Sequence, residues 1–454
     1  MGRLAAGAKG QEKEPRMSSP TADIPLSRSM VRRAVLASTI GNGLEWFDFL
    51  IYGFFSGTIA KVFFPAQDPL LALILTWSTF AVGFVVRPFG GILIGMYADR
   101  AGRQKALSLL ILMMAAGTLI LGATPGYVTI GIAAPLLVVL SRLLQGLSVG
   151  GEFASATAML VEYAPPGRKM FYGSFQMCSQ AFAVALAAGF AAALTAALAP
   201  SALTAWGWRV PFLLGALVGP IGFYIRSRVA ESPEFVRLAE HMPRRERVGF
   251  AVLLARHPAP VFCGIGAIVC GTASVYLWNT YLPGYVTRTV HLPLTVPLVG
   301  AAICAAINVF LIVAIGRLAD RVGPWRVFLP AVAAAGIAAV PLFTFILAEP
   351  SRPHLFAVQL TASLIQAFMA APIPGLLAGL FPTAVRSTGM AVAYNASVAI
   401  FGGTAPLTVT WLSGLTGSRM IPAYYLTVAA VLSLVMVLSF RDRQPAIAVP
   451  AAQT

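Results

Sequence analysis

Five ionisable side chains stand inside otherwise apolar stretches of this 454-residue chain: Glu45, Asp48, Arg87, Arg142 and Glu152. A charge in the middle of a bilayer-spanning helix costs roughly 2.5–3.5 kcal/mol on insertion scales. Three acids and two bases so placed are expected to pair or to line water. Asp48 lies about 14 residues into the first apolar run, roughly 20 Å along it at ~1.5 Å per residue. Arg142 falls in the middle or outer half of the fourth run. Paired, the two would be proton-sensitive, because burial favours the neutral acid and a guanidinium favours the carboxylate. Arg142 itself keeps its proton. A purely structural salt bridge is the competing reading. Glu45, one turn before Asp48 on nearly the same face, either shares the proton or holds a base. Arg87 and Glu152 lie at matching depth and form a second candidate pair, unless Arg87 grips a substrate carboxylate bidentately.

Neutral polar residues in other runs offer ligand contacts or interhelical hydrogen bonds: Tyr52, Gln176, Gln180, Trp278, Gln366 and Asn395. All four histidines fall in loops or at helix edges, so the proton carrier is expected to be a carboxylate. The four cysteines lie in apolar runs with no metal-ligand or disulfide spacing. No metal, cofactor or enzymatic nucleophile is expected.

The elements carrying these residues must be membrane helices. The chain is 58% hydrophobic and 11% charged, with a mean hydropathy of +0.80, whereas soluble domains carry about 25% charged residues. The net charge of +16 is spread in short clusters between apolar runs. That pattern sets topology and argues against nucleic acid as a partner. Runs of about 20 apolar residues can span a bilayer. They predict helices near 34–60, 70–97, 105–123, 128–160, 171–198, 208–226, 258–287, 295–316, 327–347, 355–380, 388–412 and 422–440. Residues 1–33 read as a disordered cytosolic tail with the start at Met1, Met17 or Met30, 227–257 as a cytoplasmic linker and 441–454 as a cytosolic tail. With the N-terminus inside, cytoplasmic segments hold 25 Lys/Arg and the opposite loops five. Both termini are therefore expected in the cytoplasm.

Gly95-Met-Tyr-Ala-Asp99-Arg100-Ala-Gly102-Arg103 recurs as Gly316-Arg-Leu-Ala-Asp320-Arg321-Val-Gly323, and Tyr163–Arg168 has a looser echo in Phe381–Arg386. The offsets, 221 and 218 residues, imply two six-helix halves, 34–226 and 258–440. Parallel halves around a central site are a transporter plan. The first loop resembles the signature of the major facilitator superfamily, as does Arg142-Leu-Leu-Gln145-Gly146-Leu-Ser-Val-Gly150. Pro324 replaces a usual base in the second copy, which suggests weaker loop contacts there. Gly41-Asn-Gly-Leu-Glu45-Trp46-Phe-Asp48-Phe49, Arg87-Pro-Phe-Gly-Gly91, Gln145–Glu152, Trp206–Phe212, Phe381-Pro382 and Tyr394-Asn395 resemble the metabolite:proton symporters.

That resemblance implies an all-α, twelve-helix carrier of the bacterial inner membrane, working as a monomer. It would take up a small organic anion with a proton, with Asp48, Glu45, Arg142 and Glu152 coupling the proton. Arg87, Arg142, Tyr52, Gln176, Gln366 and Asn395 would hold substrate, and Gly95, Asp99, Arg100, Gly102 and Arg103 would form a gating loop. A di- or tricarboxylate is the favoured cargo. Proline or betaine uptake is the alternative, weakened by the short C-terminal tail. Drug antiport is weakened by the absence of proline from 171–198.

Overall fold

The computed structural model describes residues 42–43, 46–101, 103–150, 152–217, 257–382 and 385–441. Among these there are helices and no strand. The first half comprises α1 (residues 46–63), α2 (Pro69–Val85, continued by Arg87–Ala101 across a break at Val86), α3 (Arg103–Ala123), α4 (Ala133–Val149, continued by Glu152–Glu162), α5 (Lys169–Ala197) and α6, described over residues 210–217. The second half comprises α7 (Pro258–Thr289), α8 (Thr295–Val322), α9 (Pro324–Ala348), α10 (Arg352–Leu380), α11 (Arg386–Thr416) and α12 (Ile421–Phe440). Among the described residues nine of these, α2, α4, α5 and α7–α12, are long and apolar enough to cross a membrane. With α1, α3 and α6 they fit a twelve-span plan. The tails, the linker to residue 256, Glu45 and Gly102 lie outside the described residues.

Local chemistry explains several boundaries. Asp68 caps α2, accepting from Leu70 N–H at 2.8 Å with Pro69 at the first helical position. The run expected at 128–160 is divided, because Tyr127–Ile130 forms a separate turn ending at Gly131, whose φ of +58° suits only glycine well. The helix expected to end at 316 instead runs to Val322 and stops at Gly323 with φ +96°. The second Asp-Arg motif is therefore helical. Trp208 is fully buried against Phe63 and Phe212. Its neighbour Arg209 donates through Nη1 to the carbonyls of Gly122 (3.0 Å) and Thr124 (2.5 Å), capping the C-terminal end of α3. Burial lowers the pKa of the Arg209 guanidinium, which still stays protonated at neutral pH.

The halves meet along α5 and α8 and touch at both ends. At the end bearing the repeated motifs, Asp320 on α8 accepts from the N–H groups of Met170 (2.8 Å) and Phe171 (2.9 Å) in the first turn of α5. A carboxylate there also meets the positive end of the helix dipole. The second motif thus keeps a firm contact through Asp320, upstream of Pro324. Phe153 on α4 stacks on Tyr394 of α11 with centroids 3.6 Å apart. Arg386 pairs with Glu162 at 3.3 Å. At the opposite end, Trp77 of α2 meets Tyr281 of α7, and Leu70 packs where Gly414 of α11 has no side chain.

Candidate functional site

The α2–α4 seam positions the two buried arginines. Gly83, Arg87 and Gly91 recur every four residues on α2, and Arg142, Gly146 and Gly150 do so on α4, each set lying on one face. A Cβ at Gly146 would strike the Gly83 carbonyl, and one at Gly150 would strike the Arg87 carbonyl. The missing side chains let the backbones touch, as small-residue seams do in membranes. Both arginines then emerge against α1. The Arg87 guanidinium carbon sits 4.1 Å from the Phe84 ring centroid and 4.7 Å from that of Phe49. That of Arg142 sits 4.0 Å over Tyr52 and 5.8 Å from Phe49. Phe49 therefore lies between two cations, and both guanidiniums rest on aromatic faces.

Tyr52 is a platform for Arg142, locked by its hydroxyl to the Thr76 carbonyl (3.0 Å) and to Thr79 Oγ1 (2.5 Å). Arg142 is fully buried, and its Nε, Nη1 and Nη2 have no hydrogen-bond partner. No hydrogen bond joins Arg142 to Asp48, so the expected pair acts here through charge rather than through a direct bond. Asp48 accepts through Oδ2 from the Thr118 hydroxyl on α3. Thr118 in turn accepts from Gln145 Nε2 at 2.9 Å. Asp48 Oδ1 has no partner and faces α6 at Gly215, where a Cβ would stand 2.7 Å away. The physical reason is local: a β-branched alcohol on the adjacent helix reaches the carboxylate, while π-stacking holds the guanidinium on Tyr52.

Thr118 has a second acceptor in reach, the Met114 carbonyl at 3.0 Å. A hydroxyl has one hydrogen. It points at Asp48 when that group is a carboxylate, and it can turn to Met114 when a protonated Asp48 donates instead. Gln145 donates in either case. Both protonation states of Asp48 can thus be accommodated without losing the Thr118 contact.

The other expected residues divide. Gln176 is buried and donates to Asn42 Oδ1 at 3.1 Å, while Asn42 Nδ2 returns to Ser179 Oγ at 2.8 Å, tying α5 to the start of α1. Asn395 donates to the Gly150 carbonyl at 2.6 Å across the halves. Its amide nitrogen therefore joins helices at that contact. Trp278 packs on Phe343. Gln366 accepts from Asn279 Nδ2 at 3.2 Å beside a cavity away from the arginines. Glu152 opens the second segment of α4, and Gly95, Asp99, Arg100 and Arg103 lie on helical backbone, but these side chains, like Glu45 and Gly102, fall outside the described residues. Among the described residues no group of three His, Cys, Asp or Glu could hold a metal.

Sequence reasoning missed Thr118 and Met114, and it assigned no role to Asn42 or Gln145 despite their places in the first- and fourth-run motifs. Thr118 lies 70 residues from Asp48, and nothing local marks it. The glycine spacing of α2 and α4 was visible.

Residues 49–397 match the family model of the Major Facilitator Superfamily. The citrate-proton symporter of Klebsiella pneumoniae is 37% identical over 420 residues, covering 92% of this chain and 94% of the relative. The proline/betaine transporter of Salmonella typhimurium is 33% identical over 426 residues, covering 91% and 84%. The E. coli xylose transporter XylE, partially occluded and inward open, superposes with a TM-score of 0.73 at 17% identity, over 91% of this chain and 98% of the other. That last likeness concerns the fold alone. The full-length relatives, the two repeated halves and the buried charges beside α1 agree: the chain belongs to the major facilitator superfamily, among its metabolite:proton symporters.

Proposed function

We propose that this protein takes up a small organic anion, a di- or tricarboxylate, together with a proton across the bacterial inner membrane. It would do so as a monomer with both termini in the cytoplasm. The observation that carries this reading is Arg142: a fully buried cation whose Nε, Nη1 and Nη2 have no partner. Donors left unpaired in a water-poor site are costly, and a carboxylate would satisfy two of them bidentately. The citrate-proton symporter, 37% identical over nearly its whole length, supports the same cargo class.

The proline/betaine relatives support a second reading, a zwitterion. Quaternary ammonium groups are held by aromatic faces. Here the faces of Phe84 and Tyr52 are already covered by Arg87 and Arg142, which favours the anion.

In the mechanism, a proton enters at Asp48 Oδ1, the oxygen without a partner. Thr118 keeps its hydrogen on Oδ2, which still accepts in the neutral acid. With Asp48 neutral, Arg142 is no longer screened by a nearby negative charge and attracts the anion. The loaded halves then rock about the α5–α8 seam, and substrate and proton leave on the inner side. Coupling requires that both ligands favour the same state.

Proteoliposome uptake of citrate, 2-oxoglutarate, shikimate and betaine, with and without an inward proton gradient, tests this. Gradient-driven accumulation of a carboxylate is expected, and Asp48→Asn should abolish accumulation while retaining exchange. Arg142→Gln should weaken carboxylate affinity about tenfold or more, from the loss of one charged hydrogen-bond set. Accumulation of betaine with no carboxylate uptake would install the second reading.

A further inference from the structure

Phe84 of α2 is held by both halves of the molecule. Its ring is fully buried. Within the first half its centroid lies 4.9 Å from that of Phe80 and 5.0 Å from that of Phe49, and it carries the Arg87 guanidinium at 4.1 Å. From the second half it meets Tyr276 edge-on at 5.1 Å and the backbone of Gly403. A Cβ at Gly403 would overlap Phe84 Cβ and Cγ. Those atoms form the root of the side chain, so the ring cannot swing clear of a methyl group placed there.

Both second-half contacts come from distorted helix. Tyr276 opens the π-helical stretch Tyr276–Tyr281 of α7, and Gly403 closes the stretch Val398–Gly403 of α11. Such turns are frequent at functional sites. Gly402 leaves room for the Tyr276 ring, where a Cβ would stand 2.8 Å from Cε2. Two π-helical stretches of one half therefore close around a single phenylalanine of the other. Tyr276 also stacks on Trp46 of α1 at 5.7 Å, a second contact across the halves.

The two buried arginines differ in how they depend on this clasp. Arg142 rests on Tyr52, whose hydroxyl is bonded to Thr76 and Thr79 within the first half. Arg87 has its nearer face from Phe84, at 4.1 Å against 4.7 Å for Phe49. A cation gains most from a π face that is desolvated. Rocking that draws α7 and α11 away from α2 removes Tyr276 and Gly403 from the Phe84 ring and uncovers it. The seat of Arg87 is then complete only while the second half is closed on Phe84.

We propose that Phe84 is a positioning residue for the anion: it ties the seat of Arg87 to closure of the second half, so that the closed form holds a carboxylate most tightly. The proposal rests on the anion reading, with Arg87 as the second cation beside Arg142. Linkage is reciprocal, so an anion that Arg87 holds better in the closed form also draws the halves together.

The test uses whichever of citrate, 2-oxoglutarate and shikimate the unmodified protein accumulates in proteoliposomes. KM and maximal rate are read separately, and Kd is measured on the purified protein in detergent. Phe84→Leu keeps an apolar side chain in the clasp and removes the face. KM and Kd should rise about fivefold or more, as loss of a buried cation–π contact implies. In Arg87→Gln protein the same substitution should cost no further affinity, because Phe84 acts through Arg87. Gly403→Ala, which props the clasp open, should raise KM in the same direction and lower the maximal rate. If Gly403→Ala fails to insert, Phe84→Leu decides alone. Unchanged affinity in Phe84→Leu, or in Arg87→Gln, would overturn the proposal and leave the anion reading standing. Fully additive losses in the double variant would overturn it too, since Phe84 would then be packing alone. Uptake of none of the three acids would overturn both.

Discussion

At the scale of single residues, the coupling carboxyl is held by a neutral alcohol. Thr118 donates to Asp48 Oδ2, receives from Gln145 and has Met114 O as its other acceptor. Thr118→Val removes the hydroxyl at nearly constant volume. The carboxylate then has no donor among these groups, and Gln145 Nε2 loses its acceptor. An unmet buried group costs about 1–3 kcal/mol, and the charged form of Asp48 bears it most. Net symport needs that charged form on the return step, whereas exchange of internal for external substrate does not. Thr118→Val should therefore slow gradient-driven accumulation about tenfold and leave exchange nearly intact, with Thr118→Ser restoring accumulation. Equal loss of both activities would remove Thr118 from the coupling machinery. This alcohol was illegible in the sequence for a physical reason. Charges in an apolar run announce themselves by their insertion cost, but a threonine in such a run carries little penalty, because it bonds its own helix, as Thr118 can with Met114. Only the packing of α3 on α1 shows the second role.

At the scale of elements, glycine spacing does the positioning. The α2–α4 seam closes because Gly83, Gly90, Gly91, Gly146 and Gly150 add no atoms between backbones. A methyl group added at Gly57 on α1 would meet nothing within 4 Å, so that position serves as the control. Gly146→Ala should force the helices apart and displace Arg87 and Arg142 from their aromatic seats. Overpacking of this kind costs about 1–3 kcal/mol, so the melting midpoint in detergent should drop and carboxylate uptake should fall severalfold. Gly57→Ala should change neither. A Gly146→Ala protein with normal uptake would show that the seam does not set the arginine geometry. This part of the site was legible, since the glycines and both arginines sit four residues apart within single helices. The helix breaks were less so. Gly131 divides an apolar run that composition alone reads as continuous, and the π-helical stretches Tyr276–Tyr281 of α7 and Val398–Gly403 of α11 carry no signal in the apolar pattern.

At the scale of the whole molecule, the two halves repeat a motif but use its second copy across the interface. Asp320 leaves its own half to cap α5, beside the Arg386–Glu162 pair and the Phe153–Tyr394 stack. The 221-residue offset made the repeat visible, while the cross-half partner of Asp320 depended on the helix running on to Val322. Hydrogen bonds to a charged group contribute about 1.5–3 kcal/mol each. Removing both with Asp320→Ala should shift the population toward a state open at the motif end by about tenfold or more. Cys178 offers a native reporter: it is half-buried on α5, and its thiol donates to the Val309 carbonyl of α8 at 3.2 Å. Tilting the motif end of α5 away from α8 is expected to loosen that contact, which lies about two turns along α5 from the Asp320 cap. With Cys263, Cys270 and Cys304 replaced by alanine, maleimide labelling of Cys178 in detergent should accelerate severalfold in Asp320→Ala. Addition of a transported anion that favours the closed form should slow it again. Labelling at an unchanged rate would mean that the α5 cap does not hold the halves together, and that closure at this end rests on the aromatic stack and the Arg386–Glu162 pair.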